Sequence, residues 1–268
     1  MSSKVGFLIV ARLKSRRLPL KLLLRIAEKE IIRHVIYRAK NTYCVNNVIL
    51  CTSTNNQDAP LARISLEENI YCYNGSGADV LQRMYEAAIF YGLDAFININ
   101  ADNPLFCIHH ANRIADALRQ NKEIDFVHIP ELPIGSACYG LRTSTVGALC
   151  DIKKETNTGM WVPYVNRPDF FNVLKMEATP GYTFDARLTL DEPADYEFIH
   201  ALHKEAKISI SELDIPEIRK LLERKPELKE INSNVIQRTV PEDIAKAIDL
   251  LFLQDENLVR ETINKYRV

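Results

Sequence analysis

Residues 5–21 of the chain read VGFLIVARLKSRRLPLK: an apolar run, Val5 to Val10, leads into a turn carrying Arg12, Lys14, Arg16, Arg17 and Lys21. Five cations in ten residues at the end of a first strand suit a polyphosphate, because ligands of open α/β sheets sit beyond the carboxyl ends of the strands. Read alone, the same run is also a solvated basic loop. Asp102, in NINADNPLF, directly follows a second apolar run and offers hard oxygens to Mg²⁺, or simply forms a turn. Asp191, in DARLTLDEPADYE, ends a further run and could join Asp102 on one ion; the alternative is an N-cap for a helix opened by Glu192, Pro193 and Ala194.

Two small polar segments complete the set. In TSTNN (52–56) and NGSGADVLQR (74–83), Gly75 and Gly77 allow close backbone approach to a flat ligand, while Thr52, Ser53 and Asn74 offer donors and acceptors to a base edge. Ordinary loop chemistry accounts for them equally well. Asp79 and Arg83, four apart on a helix, read as a surface ion pair. The six histidines show no ligand spacing and read as structural.

Elements that would position these residues follow from the alternation of short apolar β-rich runs with helical patterns, the mark of βαβ units around a mostly parallel sheet. Strands are expected at Val5–Val10, Asn47–Cys51, Ile70–Tyr73, Ala95–Ile99 and Asp125–Ile129. Helices are expected around Ile31, Ile32, Val35, Ile36 and Ala39, at Leu61, Ile64 and Leu66, and over Ala78–Tyr91 and His109–Asn121. Loops TSTNNQDAP, YNGSGAD and NADNPLF then fall on one edge. Beyond Pro130, PELPIGSACYG reads as turn-rich, Thr143–Ile152 as helix, and Phe170–Glu177 and Arg187–Leu190 as two more strands. From about Ser211 the pattern is almost wholly helical, with apolar stripes at Ile215–Leu222 and Ile244–Leu253 that need a partner surface.

Composition bounds the answer. The 268 residues are 47% hydrophobic and 26% charged with a formal net charge of -1, which is ordinary for a globular protein and does not favour bulk nucleic-acid binding. Six cysteines without a CxxC pair read as reduced thiols of a cytoplasmic protein. The apolar run at the N-terminus is too short for a signal sequence or a membrane span.

Taken in order, these segments resemble the cytidylyltransferases of the spore-coat polysaccharide SpsF type, relatives of the CMP-Kdo and CMP-sialic acid synthetases. The family pattern ARxxSxRLPxK appears as ARLKSRRLPLK (11–21), and TSxxxxD as TSTNNQD (52–58). GSxxDVLxR appears as GSGADVLQR (75–83), DxPL as DNPL (102–105), and RLTxDxPxDYE as RLTLDEPADYE (187–197). PELKEIN (226–232) resembles the family's tail. Two departures stand out: Lys14 and Leu20 replace glycines, and TGMWVPYV (158–165) lacks the Arg-Glu-His found in relatives.

The resemblance implies an α/β, Rossmann-like nucleotidyltransferase of GT-A type, with a mixed, mostly parallel sheet over residues 1–210. A helical extension, 211–268, would pack on it or on a partner subunit. The implied reaction moves CMP from CTP to an acidic sugar or similar acidic acceptor and releases pyrophosphate, in cell-surface polysaccharide or glycoconjugate synthesis. Arg12, Arg17 and Lys21 become the catalytic cations. Ala11, Arg12, Ser15, Lys21, Thr52, Ser53, Asn74, Gly75, Asp79, Arg83 and Ala101 become the nucleotide site, and Asp102 and Asp191 the Mg²⁺ ligands. Partners are then CTP, the acceptor and, as is common among relatives, a second copy, with neither nucleic acid nor membrane. A GT-A glycosyltransferase using Asp102 and Asn103 as a reduced metal motif, and a catalytically silent nucleotide-binding homologue, are the alternatives.

Overall fold

The computed structural model describes residues 3–43 and 47–267; Cys44 lies outside them. In chain order the elements are β1 (Val5–Val10), β2 (Arg25–Ile26), β3 (Lys29–Glu30), α1 (Ile31–Lys40), β4 (Val48–Ser53), α2 (Ala59–Glu67), β5 (Tyr71–Gly75), α3 (Val80–Phe90), β6 (Ala95–Asn100), α4 (Ile108–Gln120) and β7 (Phe126–His128). They continue with β8 (Tyr139–Arg142), α5 (Thr143–Ile152), α6 (Val162–Val165), β9 (Val173–Lys175), α7 (Pro193–Ala206), α8 (Ile215–Arg224), α9 (Glu227–Glu230), α10 (Glu242–Gln254) and α11 (Glu256–Tyr266).

Among the described residues, seven strands form one sheet in the order β5-β4-β1-β6-β8-β7-β9, and β2 and β3 form a separate pair. Strand β1 pairs in parallel with β4 and β6, and β4 with β5. Strand β8 runs antiparallel between β6 and β7, while β9 is parallel to β7. The result is the mixed, mostly parallel Rossmann-like sheet expected from the sequence.

Helices on both faces explain why β1 is apolar throughout and why β6 is buried on both faces up to Ile99. Val5, Phe7 and Ile9 pack with Ile32, Val35 and Ile36 of α1 and with Ile114 and Leu118 of α4. Leu8 and Phe96 face the other way, onto Leu81 and Met84 of α3 and Val146 and Leu149 of α5. Helices α10 and α11 bury Ile248, Phe252, Val259 and Ile263 in this second cluster. A third cluster joins Ile26, Leu105, Leu188 and Leu190 to Phe198 and Leu202 of α7 and Ile218 and Leu222 of α8. Buried Arg38 of α1 ties the clusters together, donating to the carbonyls of Phe106 at 2.7 Å, Ser211 at 3.0 Å and Leu213 at 3.1 Å.

Several expectations need correction. PELPIGSACYG runs into β8, an interior strand, because Gly140 fits under α4: a Cβ there would lie 2.5 Å from Ile114 Cγ2. Arg187–Leu190 is not a strand; its ladder contact is a single parallel bridge between Ile134 and Arg187. Only Val173–Lys175 of the expected strand over 170–177 is formed. The N-cap of α7 is Glu192, which forms a capping box with Asp195, so Asp191 is released from that role. Leu66 is 78% exposed and contributes nothing to the core face of α2. The stretch 233–241 is not helical. Two buried histidines are satisfied inside the core. His34 meets Ser211 Oγ at 2.6 Å and the Ile26 carbonyl at 3.0 Å, and His110 Nε2 accepts from the Thr179 amide at 3.0 Å, burial holding its pKa down to about 4.

Candidate active site

Three parallel strands end side by side, and backbone bonds lock their ends. The Ala11 amide donates to Cys51 O at 3.0 Å, and the buried Ala101 donates from its amide to Val10 O at 2.9 Å. Asp58, which sequence reasoning left without a role although it closes TSTNNQD, is buried here: Oδ1 accepts from the Leu13 amide at 2.7 Å and Oδ2 from the Ser53 hydroxyl. It thereby fixes the start of the basic turn to the end of β4. Within the turn, Ser15 Oγ accepts from the Leu18 amide at 3.4 Å. Lys14 and Arg16 are exposed.

Leu20 ends the turn at φ 53°, in the left-handed region, and its carbonyl accepts from the Leu23 amide at 2.8 Å. The left-handed φ at Leu20 is a conformation that glycine adopts without strain and a branched side chain does not. Leu20→Gly is expected to raise unfolding stability by about 1 kcal/mol, read as a higher urea midpoint at an unchanged m-value.

Lys21 follows directly. Its Nζ donates to Asp102 Oδ2 at 2.6 Å, Asp191 Oδ1 at 2.8 Å and Leu190 O at 2.8 Å. Burial opposes the charge, but the attraction and hydrogen bonds of Asp102 and Asp191 outweigh it and hold the ammonium above its ordinary pKa. Arg17 also reaches Asp191 Oδ1 at 3.0 Å, and Glu192 at 3.0 Å. Asp191 arrives beside Asp102 because the Leu190 amide donates to Asp102 O at 2.8 Å.

A second layer orients Asp191. Fully buried Asp195 accepts from Arg187 Nε at 2.8 Å, from the Asp191 amide at 2.9 Å and from the Glu192 amide at 3.0 Å. Arg187 Nη2 also donates to Asp191 Oδ2 at 3.2 Å, and Asn232 Nδ2 donates to Asp195 Oδ1 at 3.1 Å. Sequence reasoning gave Arg187, Asp195 and Asn232 no role; their signal was membership in RLTLDEPADYE and PELKEIN, two motifs that meet only in space.

The other side of the site gathers the polar segments. Thr52 stands in register with Asn74, and Ser53 with Gly75. Arg12 Nη1 donates to Gly77 O, joining the basic turn to this loop. Arg83 is 0% exposed: Nη1 donates to Ser76 O, while Nε and Nη2 have no partner among the described residues, and neither does buried Thr52 Oγ1. Gly75 makes room for it, since a Cβ there would lie 3.0 Å from Arg83 Cγ. Burial lowers the Arg83 pKa. The expected surface pair of Asp79 and Arg83 is therefore wrong twice: both are buried, and Asp79 is bound by Lys153, by Thr158 Oγ1 at 2.8 Å and by the Gln82 amide at 3.1 Å. Asn74 is exposed.

One face thus collects cations and two carboxylates suited to a polyphosphate, and beside it buried donors suited to the acceptor edge of a base. Comparison with known proteins agrees. Residues 7–215 match the family model described as cytidylyltransferase. The chain belongs to the cytidylyltransferase family. Members of this family are CTP-dependent nucleotidyltransferases, which sets the glycosyltransferase reading aside. The chain is 26% identical to the spore coat polysaccharide biosynthesis protein SpsF of Bacillus subtilis over 77% of its own length and 91% of that protein. It is 26% identical to the 3-deoxy-manno-octulosonate cytidylyltransferase of Escherichia coli over 62% of its length and 63% of the relative. A cytidylyltransferase structure from Leptospira borgpetersenii superposes with a TM-score of 0.78 at 23% identity, covering 90% of this chain and 100% of the other.

Segment 158–165 is anchored in the core. Thr158 Oγ1 accepts from the Leu81 amide at 2.9 Å, buried Trp161 packs edge-on to Tyr139 at 5.3 Å, and Tyr164 and Val165 are buried. Core side chains and a polar anchor make up the segment, which has no charged residue.

Proposed function

We propose that the chain transfers CMP from CTP to an acidic sugar or a comparable acidic acceptor. The observation that carries this reading is the convergence of Asp102 and Asp191 on one point, within 2.8 Å of Lys21 Nζ, beside the basic turn. Two hard carboxylate oxygens meeting at one point suit a divalent cation that also binds phosphate oxygens and water. Asp102 and Asp191 would hold that cation; Mg²⁺ is the natural choice, and it would supply charge neutralisation at the triphosphate.

The chain's own residues do the rest. Arg12, Arg17 and Lys21 surround the triphosphate and spread its charge, with the loop ends at Ala11, Ser15 and Ala101 shaping the cradle. Arg83 and Thr52 offer their unpaired polar atoms to the base, flanked by Ser53, Asn74 and Gly75. Asp79 supports that loop from beneath. An acceptor oxygen attacks the α-phosphorus, the bond to the bridging oxygen of the β-phosphate breaks, and pyrophosphate leaves. Such in-line transfer needs positioning and charge stabilisation more than a covalent catalyst.

No helix of the described residues is long and apolar enough to cross a membrane. Free thiols at Cys51, Cys72, Cys107, Cys138 and Cys150 fit a reducing cytoplasm. The test is pyrophosphate release from CTP and Mg²⁺ across acidic sugars and phosphorylated acceptors, with CTP binding followed by calorimetry. Release with one acceptor class is expected; CTP binding without turnover across the panel would favour a silent homologue, and no CTP binding at all would sink the reading.

A further inference from the structure

We propose that Lys21 is an internal counter-ion that keeps the Asp102–Asp191 pair closed to a free divalent cation and releases it when the cation arrives with a triphosphate. The inference rests on the metal reading above and extends it to the order of binding. All three ammonium donors are committed, to Asp102 Oδ2 at 2.6 Å, Asp191 Oδ1 at 2.8 Å and Leu190 O at 2.8 Å. The Lys21 side chain is only 11% exposed, so water cannot replace all of these partners. Asp191 meets two further cations, Arg17 at 3.0 Å and Arg187 at 3.2 Å.

A bare dication reaching both carboxylates would have to displace the ammonium. Lys21 would then lie largely buried, unpaired and beside the ion that evicted it, and each of these effects opposes binding. A cation carried by a triphosphate removes the obstacle, because phosphate oxygens accept the three donors that Lys21 withdraws. Cation and nucleotide are therefore coupled, each raising the other's affinity. Lys21 acts first as a substitute for the metal and afterwards as a phosphate ligand.

The test measures Mn²⁺ binding by electron paramagnetic resonance without nucleotide, so it needs no turnover. Lys21→Met is expected to bind Mn²⁺ at least tenfold more tightly than the unmodified chain, Lys21→Arg to stay weak, and Lys21→Met with Asp102→Asn to lose the gain. Circular dichroism and urea unfolding confirm that each variant folds, and Lys21→Arg carries the comparison if Lys21→Met does not. For that variant, Mn²⁺ binding tenfold tighter than in the unmodified chain would contradict a counter-ion held by charge. Equal affinity in Lys21→Met and the unmodified chain, absence of binding in both, or a gain that survives Asp102→Asn would overturn the proposal. A parallel titration with CTP present separates the two ideas: ternary Mn²⁺ binding lost on Asp102→Asn would leave the metal reading standing even then.

Discussion

Asp102→Asn and Asp191→Asn are each expected to lower kcat/KM for pyrophosphate release from CTP by about 1,000-fold, roughly 4 kcal/mol of transition-state stabilisation. Each change removes one of two oxygens that meet at a single point while keeping the shape of the side chain. Steady-state kinetics with circular dichroism separates loss of chemistry from loss of fold; retained turnover in both variants would remove the metal assignment. Asp191 also contributes to stability. Burial raises the Asp191 pKa, but Lys21, Arg17 and Arg187 together hold it below its ordinary value. A carboxyl depressed in the folded state stabilises the fold above its unfolded pKa, and that contribution fades as pH falls through the lower folded value. Asp191→Asn is therefore expected to be less stable than the unmodified chain at pH 7, with the difference closing below about pH 4.

Arg83→Met is expected to weaken CTP binding by about 100-fold without lowering unfolding stability. Nε and Nη2 are buried without partners, so the folded chain bears the cost of desolvating a guanidinium it does not fully use. Two hydrogen bonds from a charged donor to a base edge, at about 1.5 kcal/mol each, account for the loss in affinity. An unbranched apolar side chain of similar length removes the buried charge, and only the bond to Ser76 O is given up. Calorimetry with CTP beside urea unfolding reads both signs. Unchanged CTP affinity together with a large loss of stability would make Arg83 a structural residue.

These two sites differ in how far the sequence foretold them. The basic turn was visible because β1 is apolar on both faces and the cations begin where it stops, so charge and strand end coincide in a few residues. Asp102 was visible for the same reason after β6. Its meeting with Asp191 was not, since it depends on the Leu190 amide finding Asp102 O across the chain. The alternating Leu188 and Leu190 announced burial correctly; their backbone partners, however, are Ile134 and Asp102 rather than a sheet ladder. Arg83 misled because a charged residue four after an aspartate looks solvated, and nothing local records that α3 turns it inward. Strand β8 was hidden by Gly140, whose missing side chain weakens a strand pattern but is what lets α4 lie close.

The placement of α10 and α11 bears on how the chain comes into being. Strands β1 to β8 are all present once Arg142 has been synthesised, but the helices that finish the second face come from 242–266, about a hundred residues later. At about 5–20 residues per second, the growing polypeptide waits on the order of ten seconds for them. During that interval the surface destined to receive Phe252 and Ile263 is open to water and to neighbouring nascent chains. A product that ended before α10 would keep every motif of the nucleotide site and still expose the apolar surface that α10 and α11 cover.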